Sequence, residues 1–153
     1  MSNLSMKLSA HFTLGELIRT SQRGIDNLPN EAVLAELIDL CENFLEPIRD
    51  EFGPLIVSSG YRSPELNAAV GGSKSSAHMF GCAADFVPYK SKYTTRDVVL
   101  WVVESDLDFD QVIDEYGNNT SNWVHLGKTK PPKKLQPRRE ALTYRNKKYT
   151  KFV

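Results

Sequence analysis

Histidine and aspartate side chains, which can both bind a metal ion, occur at separate points of this chain. His78 and Asp85 lie seven residues apart on either side of Gly81, and His125 follows later, inside Trp123-Val124-His125-Leu126. Two neutral imidazoles and one carboxylate are the usual protein ligands of a catalytic zinc ion, which keeps its fourth position for water. The sequence therefore predicts one zinc site formed by His78, Asp85 and His125.

Zinc-dependent hydrolysis also needs a base that takes a proton from water and a cation or donor that meets the developing oxyanion. Arg62 follows a predicted strand directly, in Ser59-Gly60-Tyr61-Arg62. Its planar guanidinium suits an oxyanion or a substrate carboxylate. A lone arginine or histidine carries little information, so the prediction depends on these residues meeting in the fold.

Size and composition allow one compact domain with a core. The chain has 153 residues, of which 41% are hydrophobic and 25% are charged. Its longest apolar runs are a few residues, so we expect no membrane insertion. Met1–Leu8 lacks the long apolar segment of a secretory signal, so we expect synthesis in the cytoplasm. Cys41 and Cys82 are too few for a disulfide framework and are interpreted as reduced thiols.

The hydrophobic pattern predicts an α+β fold, a single domain whose small, mainly antiparallel sheet has helices packed on one side. Capping signals predict a short helix after Thr13 through about Arg19, and a long helix after Asn30 that Pro47 kinks or divides. Further helices are predicted at 63–70 and after Thr94 or Thr95. Strands are predicted at 55–59, 83–87, 109–115 and 123–126, with the last two antiparallel across a turn at 117–122.

The C-terminal residues differ in charge from the rest of the chain. Residues 128–153 contain ten Lys and Arg but only one acid, Glu140, whereas residues 1–127 contain nine and eighteen respectively. Such a basic extension can bind an anionic polymer, either nucleic acid or a cell-wall polymer. We favour the alternative, a solvated terminal hairpin at 141–152 whose lysines prevent edge-to-edge association of sheets. Nucleic-acid binding is the weakest of these hypotheses.

Several motifs together resemble a known family. They are Ser59–Ser63, Leu66-Asn67, the Ser76-to-Asp85 stretch and Trp123–His125, in that order along the chain. This combination resembles the zinc-dependent D-alanyl-D-alanine carboxypeptidase family, which also contains D-Ala-D-Ala dipeptidases and phage L-alanyl-D-glutamate endolysins. The chain is most similar to small single-domain phage and bacterial members. The resemblance runs from about Phe12 to Leu126, and the Arg138–Leu142 segment is also typical of that subgroup. We take about residues 12–127 as the catalytic core and 128–153 as a basic C-terminal extension.

The resemblance implies roles for individual residues. His78, Asp85 and His125 would hold one zinc ion, and Arg62 would stabilise the tetrahedral intermediate. Ser76 would contact substrate, and we expect Tyr61 and Trp123, which lie within the matching motifs, to contact it as well. The implied fold is the α+β D-Ala-D-Ala peptidase (hedgehog-like) fold, and the implied substrate is a peptidoglycan stem peptide that contains D-amino acids.

One position departs from the family pattern. Members place the general base, Asp or Glu, three residues before the last histidine ligand, and this chain has Asn122 there. An amide cannot accept the proton, and loss of a positioned base typically costs ~10²–10⁴ in rate. The candidates that remain are Asp114 and Glu115. Residues two apart share a strand face, so Glu115 points with core-like Ile113, and we place it ahead of Asp114.

Two functional hypotheses follow. The first is a zinc metallopeptidase that hydrolyses stem-peptide bonds with Glu115 as base. The second, motivated by Asn122, is a catalytically weak zinc-binding module that recognises cell-wall peptide or a protein partner. In either case we expect a monomer that reaches the cell wall after phage- or host-mediated release.

Overall fold

A computed structural model describes residues 3–117, 122–132 and 136–153 of the chain. The helices are α1 (Leu14–Leu17), α2 (Glu31–Leu40), α3 (Glu46–Phe52), α4 (Pro64–Ala69) and α5 (Thr95–Glu104). A π-helical turn, Cys41–Leu45, joins α2 to α3, and a 3₁₀ turn, Ala77–Phe80, precedes the second strand. The strands are β1 (Leu55–Ser59), β2 (Ala83–Pro88), β3 (Gln111–Tyr116), β4 (Asn122–Gly127), β5 (Glu140–Arg145) and β6 (Lys148–Lys151).

The six strands form one sheet in the order β1-β2-β4-β3-β5-β6. Four of the five neighbouring pairs are antiparallel, and only β3 and β5 run parallel. The predicted α+β class is therefore confirmed, as is the antiparallel pairing of the third and fourth strands. Of the turn predicted at 117–122, residues 118–121 lie outside the described part of the chain.

The two faces of the sheet have different environments. Phe86, Val124, Leu126 and Val112 are fully buried on one face and belong to the same core cluster as the buried residues of the helices. Helix α5 packs on this face across β3 and β4. The opposite face carries Asp85, His125, Ile113 and Glu115 in the same strands, since side chains alternate along a strand. One face of the sheet therefore covers the hydrophobic core, and the opposite face carries the candidate site.

The predicted caps position the helices. The Thr13 side chain accepts from the Glu16 N–H and Glu16 accepts in return, which is the expected capping box, but α1 ends at Leu17 rather than Arg19. Asn30 caps α2. As predicted, the long helix is divided at Pro47: a separate segment, α3, begins at Glu46 with Pro47 in its first turn. Proline has no N–H, and the chain ahead of it widens into the π-helical turn, in which the Glu46 N–H bonds to the Cys41 carbonyl.

The basic extension ends in the predicted hairpin. Strands β5 and β6 pair across Asn146 and Lys147, both with positive φ, as a tight two-residue hairpin turn requires. Strand β5 continues the main sheet by pairing with β3, so β6 becomes an edge strand with exposed Lys148 and Lys151. Charged residues at such an edge oppose association with another sheet. Among the described residues, no helix is both long and apolar enough to cross a membrane.

Candidate metal centre

A cleft of about 760 Å³ opens over the face of the sheet opposite the core. Strands β2, β3 and β4 form its floor, and the loops before α4 and β2 form one wall. Described residues of the C-terminal extension contribute the other wall: Lys128–Pro132, Gln136 and Arg138. Most of the residues predicted to be functional line it: Arg62, Ser76, His78, Asp85, Glu115, Trp123 and His125.

Asp85 and His125 meet because of strand register. They are direct partners across β2 and β4, where side chains on one face approach closely. His125 Nδ1 lies 2.9 Å from Asp85 Oδ1. Asp85 is only 8% exposed and His125 is partly buried. The pairing of two strands 40 residues apart therefore builds two thirds of the predicted metal site.

His78 is placed by the 3₁₀ turn before β2. The Ser76 hydroxyl accepts from the His78 N–H and begins the turn, and Gly81 ends it in a left-handed conformation, φ 72°. A β-carbon at Gly81 would lie 2.8 Å from the Val33 carbonyl, so the turn needs glycine for its φ and for its packing on α2. The turn brings His78 Nε2 to 3.4 Å from Asp85 Oδ1.

The tautomer of His78 follows from its second nitrogen. His78 Nδ1 lies 2.6 Å from the Gly60 carbonyl oxygen, which can only accept, so Nδ1 must carry the hydrogen. In the neutral ring, Nε2 then presents its lone pair to Asp85. A metal-ligating histidine is commonly oriented in this way by a backbone carbonyl.

Arg62 is held beside the same carboxylate. A bulge in β1 after Val57 brings Ser59 opposite Asp85, and the chain then turns at Gly60. The Arg62 guanidinium donates from Nε to Ser59 Oγ and from Nη1 to Asn67 Oδ1, while Nη2 lies 3.6 Å from Asp85 Oδ2. Its position is thus determined by three neighbours, and it lines the cleft.

The donor set fits a zinc ion. One ligand atom from each of His78, Asp85 and His125 can be chosen so that all three lie within 4.8 Å of one another. Tetrahedral zinc with bonds near 2.1 Å would hold its ligand atoms roughly 3.4 Å apart. The two measured separations from Asp85 Oδ1, 3.4 and 2.9 Å, are close to that spacing. These three side chains could therefore bind a metal ion with small adjustments.

The charge state of Asp85 is also suitable for a ligand. Burial by itself would raise its pKa, but when the imidazoles are protonated, the charge of His78 and the hydrogen bonds that His125 and His78 donate outweigh burial. The pKa of Asp85 is therefore held well below its usual range. A carboxylate that stays ionised in a buried position provides the negative charge that a cation needs.

The two candidate bases point in opposite directions. Glu115 is partly buried, pairs with Trp123 across β3 and β4, and lines the cleft. Burial raises its pKa, as does the charge of Asp85, while the charges of His125 and Arg62 lower it. Asp114 instead lies on the core face, 1% exposed, and accepts from the Thr95 hydroxyl. Only Glu115 of the pair can therefore reach the cleft.

The strand register also changes the interpretation of Asn122. This residue is paired with Tyr116 without a bulge, so it lies on the same face of β4 as Val124 and away from His125. Asn122 is not among the residues that line the cleft. In this chain, the position where the family pattern expects a base does not face the candidate metal site.

Of the predicted substrate-contacting residues, Ser76 and Trp123 line the cleft, but Tyr61 does not. Tyr61 is 7% exposed, its ring belongs to the core cluster, and its carbonyl accepts from the Asn27 side chain. The expectation that Tyr61 contacts substrate is therefore corrected. The aromatic ring of Tyr61, directly after Gly60, packs into the core, whereas the side chain of the next residue, Arg62, points into the cleft.

Two asparagines that the sequence alone did not assign support the site. Asn27 donates to the Ile18 and Tyr61 carbonyls and accepts from the Ser63 N–H, which holds the loop that carries Arg62. Asn67 accepts from Arg62 and donates to the Ser73 carbonyl. Asn67 lies in a recognisable motif, but Asn27 lies in a polar loop and has no signal in the sequence.

The third histidine does not join the site. His11 is exposed, and its Nδ1 lies 2.6 Å from Glu46 Oε1 on α3. Glu46 also accepts from the Ser9 hydroxyl and the His11 N–H, and these bonds help to lower its pKa against the opposing effect of burial. His11 therefore attaches the N-terminal segment to the helix, as a surface residue with a partner that sequence reasoning did not identify.

Comparison with known proteins agrees with this geometry. No curated protein matches the chain. Among protein families, Peptidase M15 matches residues 10–127, which include every predicted metal ligand and Arg62. Membership implies a peptide substrate, and the family's peptidases depend on zinc, consistent with the donor set of His78, Asp85 and His125. The chain belongs to the peptidase M15 family of zinc peptidases.

Proposed function

We propose that this protein is a zinc peptidase that hydrolyses stem-peptide bonds of peptidoglycan next to D-amino acids. His78, Asp85 and His125 hold one zinc ion, Glu115 is the general base, and Arg62 binds the developing oxyanion. The observation that carries the proposal is the juxtaposition, within one cleft, of three metal-binding side chains and the carboxylate of Glu115.

Zinc held by these residues would polarise the peptide carbonyl and lower the pKa of a water molecule. The protein's own groups manage the protons. A carboxylate oxygen of Glu115 accepts the proton of the attacking water, whose oxygen bonds to the carbonyl carbon. When the carbon–nitrogen bond breaks, the same proton passes from Glu115 to the leaving amine.

Arg62 has two tasks in this proposal. Its guanidinium neutralises the negative charge that develops on the carbonyl oxygen, which is most effective for a cation fixed before the reaction. The hydrogen bonds to Ser59 and Asn67 hold it in that position. Its third contact, to Asp85 Oδ2, also helps to orient the ligand carboxylate. Ser76 contacts the peptide from a wall of the cleft and Trp123 contacts it from the floor.

The test is digestion of purified peptidoglycan fragments, with the products identified by mass spectrometry. Full-length, zinc-loaded protein should release stem-peptide products, and chelation should stop the reaction. His78→Ala should lose both zinc, measured by elemental analysis, and turnover. His11→Ala, which changes the histidine outside the cleft, is the matched control and should keep both. Stoichiometric zinc without turnover of any fragment would contradict the enzymatic proposal.

A catalytically weak zinc-binding module is the second candidate, and Asn122 is the residue that favours it. The two candidates differ in what a change at Glu115 does. If Glu115→Gln abolishes a measurable hydrolysis, the protein uses this carboxylate and the binding-module proposal fails. If hydrolysis is absent in the native protein but fragments bind, the module is the better description.

The setting of the activity is part of the same proposal. A monomer acting on wall peptides would reach them after phage- or host-mediated release. Sedimentation of the full chain measures whether it is a monomer. Addition of the protein from outside to permeabilised and to intact cells measures whether it needs release to reach the wall, because only permeabilised cells expose the wall from the inner side.

A further inference from the structure

Four side chains form one row across the sheet, on the face that carries the candidate metal centre. Trp123 pairs with Glu115, Glu115 pairs with Tyr144, and Tyr144 pairs with Tyr149, through strands β4, β3, β5 and β6 in turn. Direct partners in register share a face of a sheet. The last two members belong to the C-terminal hairpin, which lies beyond residues 10–127 matched by the family.

The outer end of this row is exposed and still belongs to the cleft. Tyr149 is 56% exposed, and it lines the same cleft as His78, Asp85 and His125. Its ring lies 4.6 Å from the half-buried ring of Tyr144, measured between centroids. Tyr144 thus supports Tyr149 from behind and limits its rotation, so a large aromatic surface is presented at small entropic cost.

Tyr149 also lies within electrostatic reach of the proposed base. Partial burial raises the pKa of its phenol, and so does the negative charge of Glu115. Neighbouring strands are about 4.8 Å apart, which puts the backbone of Tyr149 roughly 10 Å from that of Glu115 across two strand spacings. An extended peptide covers this distance in about three residues, at roughly 3.4 Å each.

We propose that the C-terminal hairpin forms an outer subsite, in which Tyr149 packs on a substrate residue about three positions from the cleaved bond. This inference rests on the proposed peptidase function and restricts the length of peptide that the enzyme prefers. The substrate is an extended peptide of at least about four residues, lying across the strands from the metal centre towards β6. A dipeptide is too short to reach the subsite.

The hairpin is attached firmly enough to serve as a binding wall. Arg138, just before β5, donates from its side chain and backbone to the carboxylate of Asp110, with Nη2 2.8 Å from Oδ2. Lys130, on the segment after β4, donates to the Ser75 carbonyl in the loop before His78. The extension therefore contacts both the sheet and the opposite wall of the cleft.

The test compares blocked stem peptides of two and five residues. Tyr149→Thr removes the ring but keeps a residue that favours strands. We expect it to raise the KM for the pentapeptide about 3- to 10-fold, the range expected for the loss of an aromatic contact, with little change in kcat. The ratio of kcat/KM for the pentapeptide to kcat/KM for the dipeptide should fall by the same factor. Tyr149→Phe keeps the aromatic ring, so this ratio should stay at the native value in that variant.

Tyr89→Thr is the matched control, because Tyr89 is also exposed but lies outside the cleft. An equal effect of Tyr149→Thr and Tyr89→Thr on the ratio would overturn the subsite. If neither peptide is cleaved by the native protein, the peptidase proposal fails separately. Calorimetric binding of the pentapeptide to zinc-loaded Glu115→Gln then decides the subsite: weaker binding in Glu115→Gln/Tyr149→Thr supports it, and equal binding refutes it.

Discussion

Replacement of Glu115 by glutamine tests the proposed mechanism at its most specific point. The change keeps the size and shape of the side chain but removes its ability to accept a proton. Because Glu115 is partly buried on the face that carries Asp85 and His125, the variant should fold normally and retain zinc. Any loss of rate can then be assigned to the missing base.

A positioned base contributes about 10²–10⁴ in rate. By transition-state arithmetic this is roughly 3–5 kcal/mol, so kcat for a stem peptide should fall by about that factor while KM changes little. The native pH–rate profile should also rise on its acidic side as Glu115 loses its proton. Burial and the charge of Asp85 raise the pKa of Glu115, so this rise should occur above the ordinary glutamate value, and the variant should lack it.

Asp114→Asn is the matched control, since the same carboxylate-to-amide change is made one residue earlier and on the core face. It should leave the rate and the acidic side of the profile unchanged. Asn122→Asp in the Glu115→Gln background should not restore activity, because Asn122 lies on the face of β4 opposite to His125. A Glu115→Gln enzyme with more than a tenth of the native rate, or a clear rescue by Asn122→Asp, would refute the assignment.

Three further predictions concern stability and reactivity. Lys128 is 3% exposed and pairs with Glu36 at 3.3 Å and with Asp39 at 2.6 Å. Because water can reach the 37% exposed Asp39 side chain, Lys128→Met should cost less than a fully buried pair, about 1–2 kcal/mol, which thermal unfolding of a chain of this size would register as a fall of about 2–8 °C. Burial raises the pKa of Asp114 in the folded protein. Its contribution to stability is therefore fully present below the unfolded pKa and is lost as pH rises through the folded pKa. Asp114→Asn should unfold at a higher temperature than the native protein at pH 7, and this difference in unfolding temperature should narrow towards pH 4. Burial and the charge of Glu46 raise the pKa of Cys41 to about 12, so peptide mapping after treatment with a thiol reagent at pH 8 should find Cys41 modified only in denatured protein.

These outcomes have clear opposites. An unchanged melting temperature for Lys128→Met would mean that its ion pair is replaced by water at no cost. A stability difference for Asp114→Asn that does not depend on pH would contradict the raised pKa. Modification of Cys41 in the native protein would show that the core opens near the π-helical turn.

Much of the site could be predicted from the sequence because its signals are local. The capping residues Thr13 and Asn30 and the terminal hairpin depend on a few neighbouring residues, and the structure has each where the pattern indicates it. The metal-binding residue types and their order are also properties of the chain itself. For these features, backbone preferences and side-chain chemistry were enough.

What depended on distant pairing could not be predicted in this way. Strand alternation already set Glu115 apart from Asp114, and Asn122 apart from His125. Only the pairing of β3 with β4 decides that Glu115, rather than Asp114, shares the face of His125, since a one-residue slip of β3 would exchange the two carboxylates. Burial of Tyr61 depends on a core assembled from the whole chain. The parallel pairing of β5 with β3 brings Tyr149 beside the candidate site. The sequence by itself determined which residues can do chemistry, and the tertiary structure decided which of them meet, because register and burial are set by contacts between distant residues.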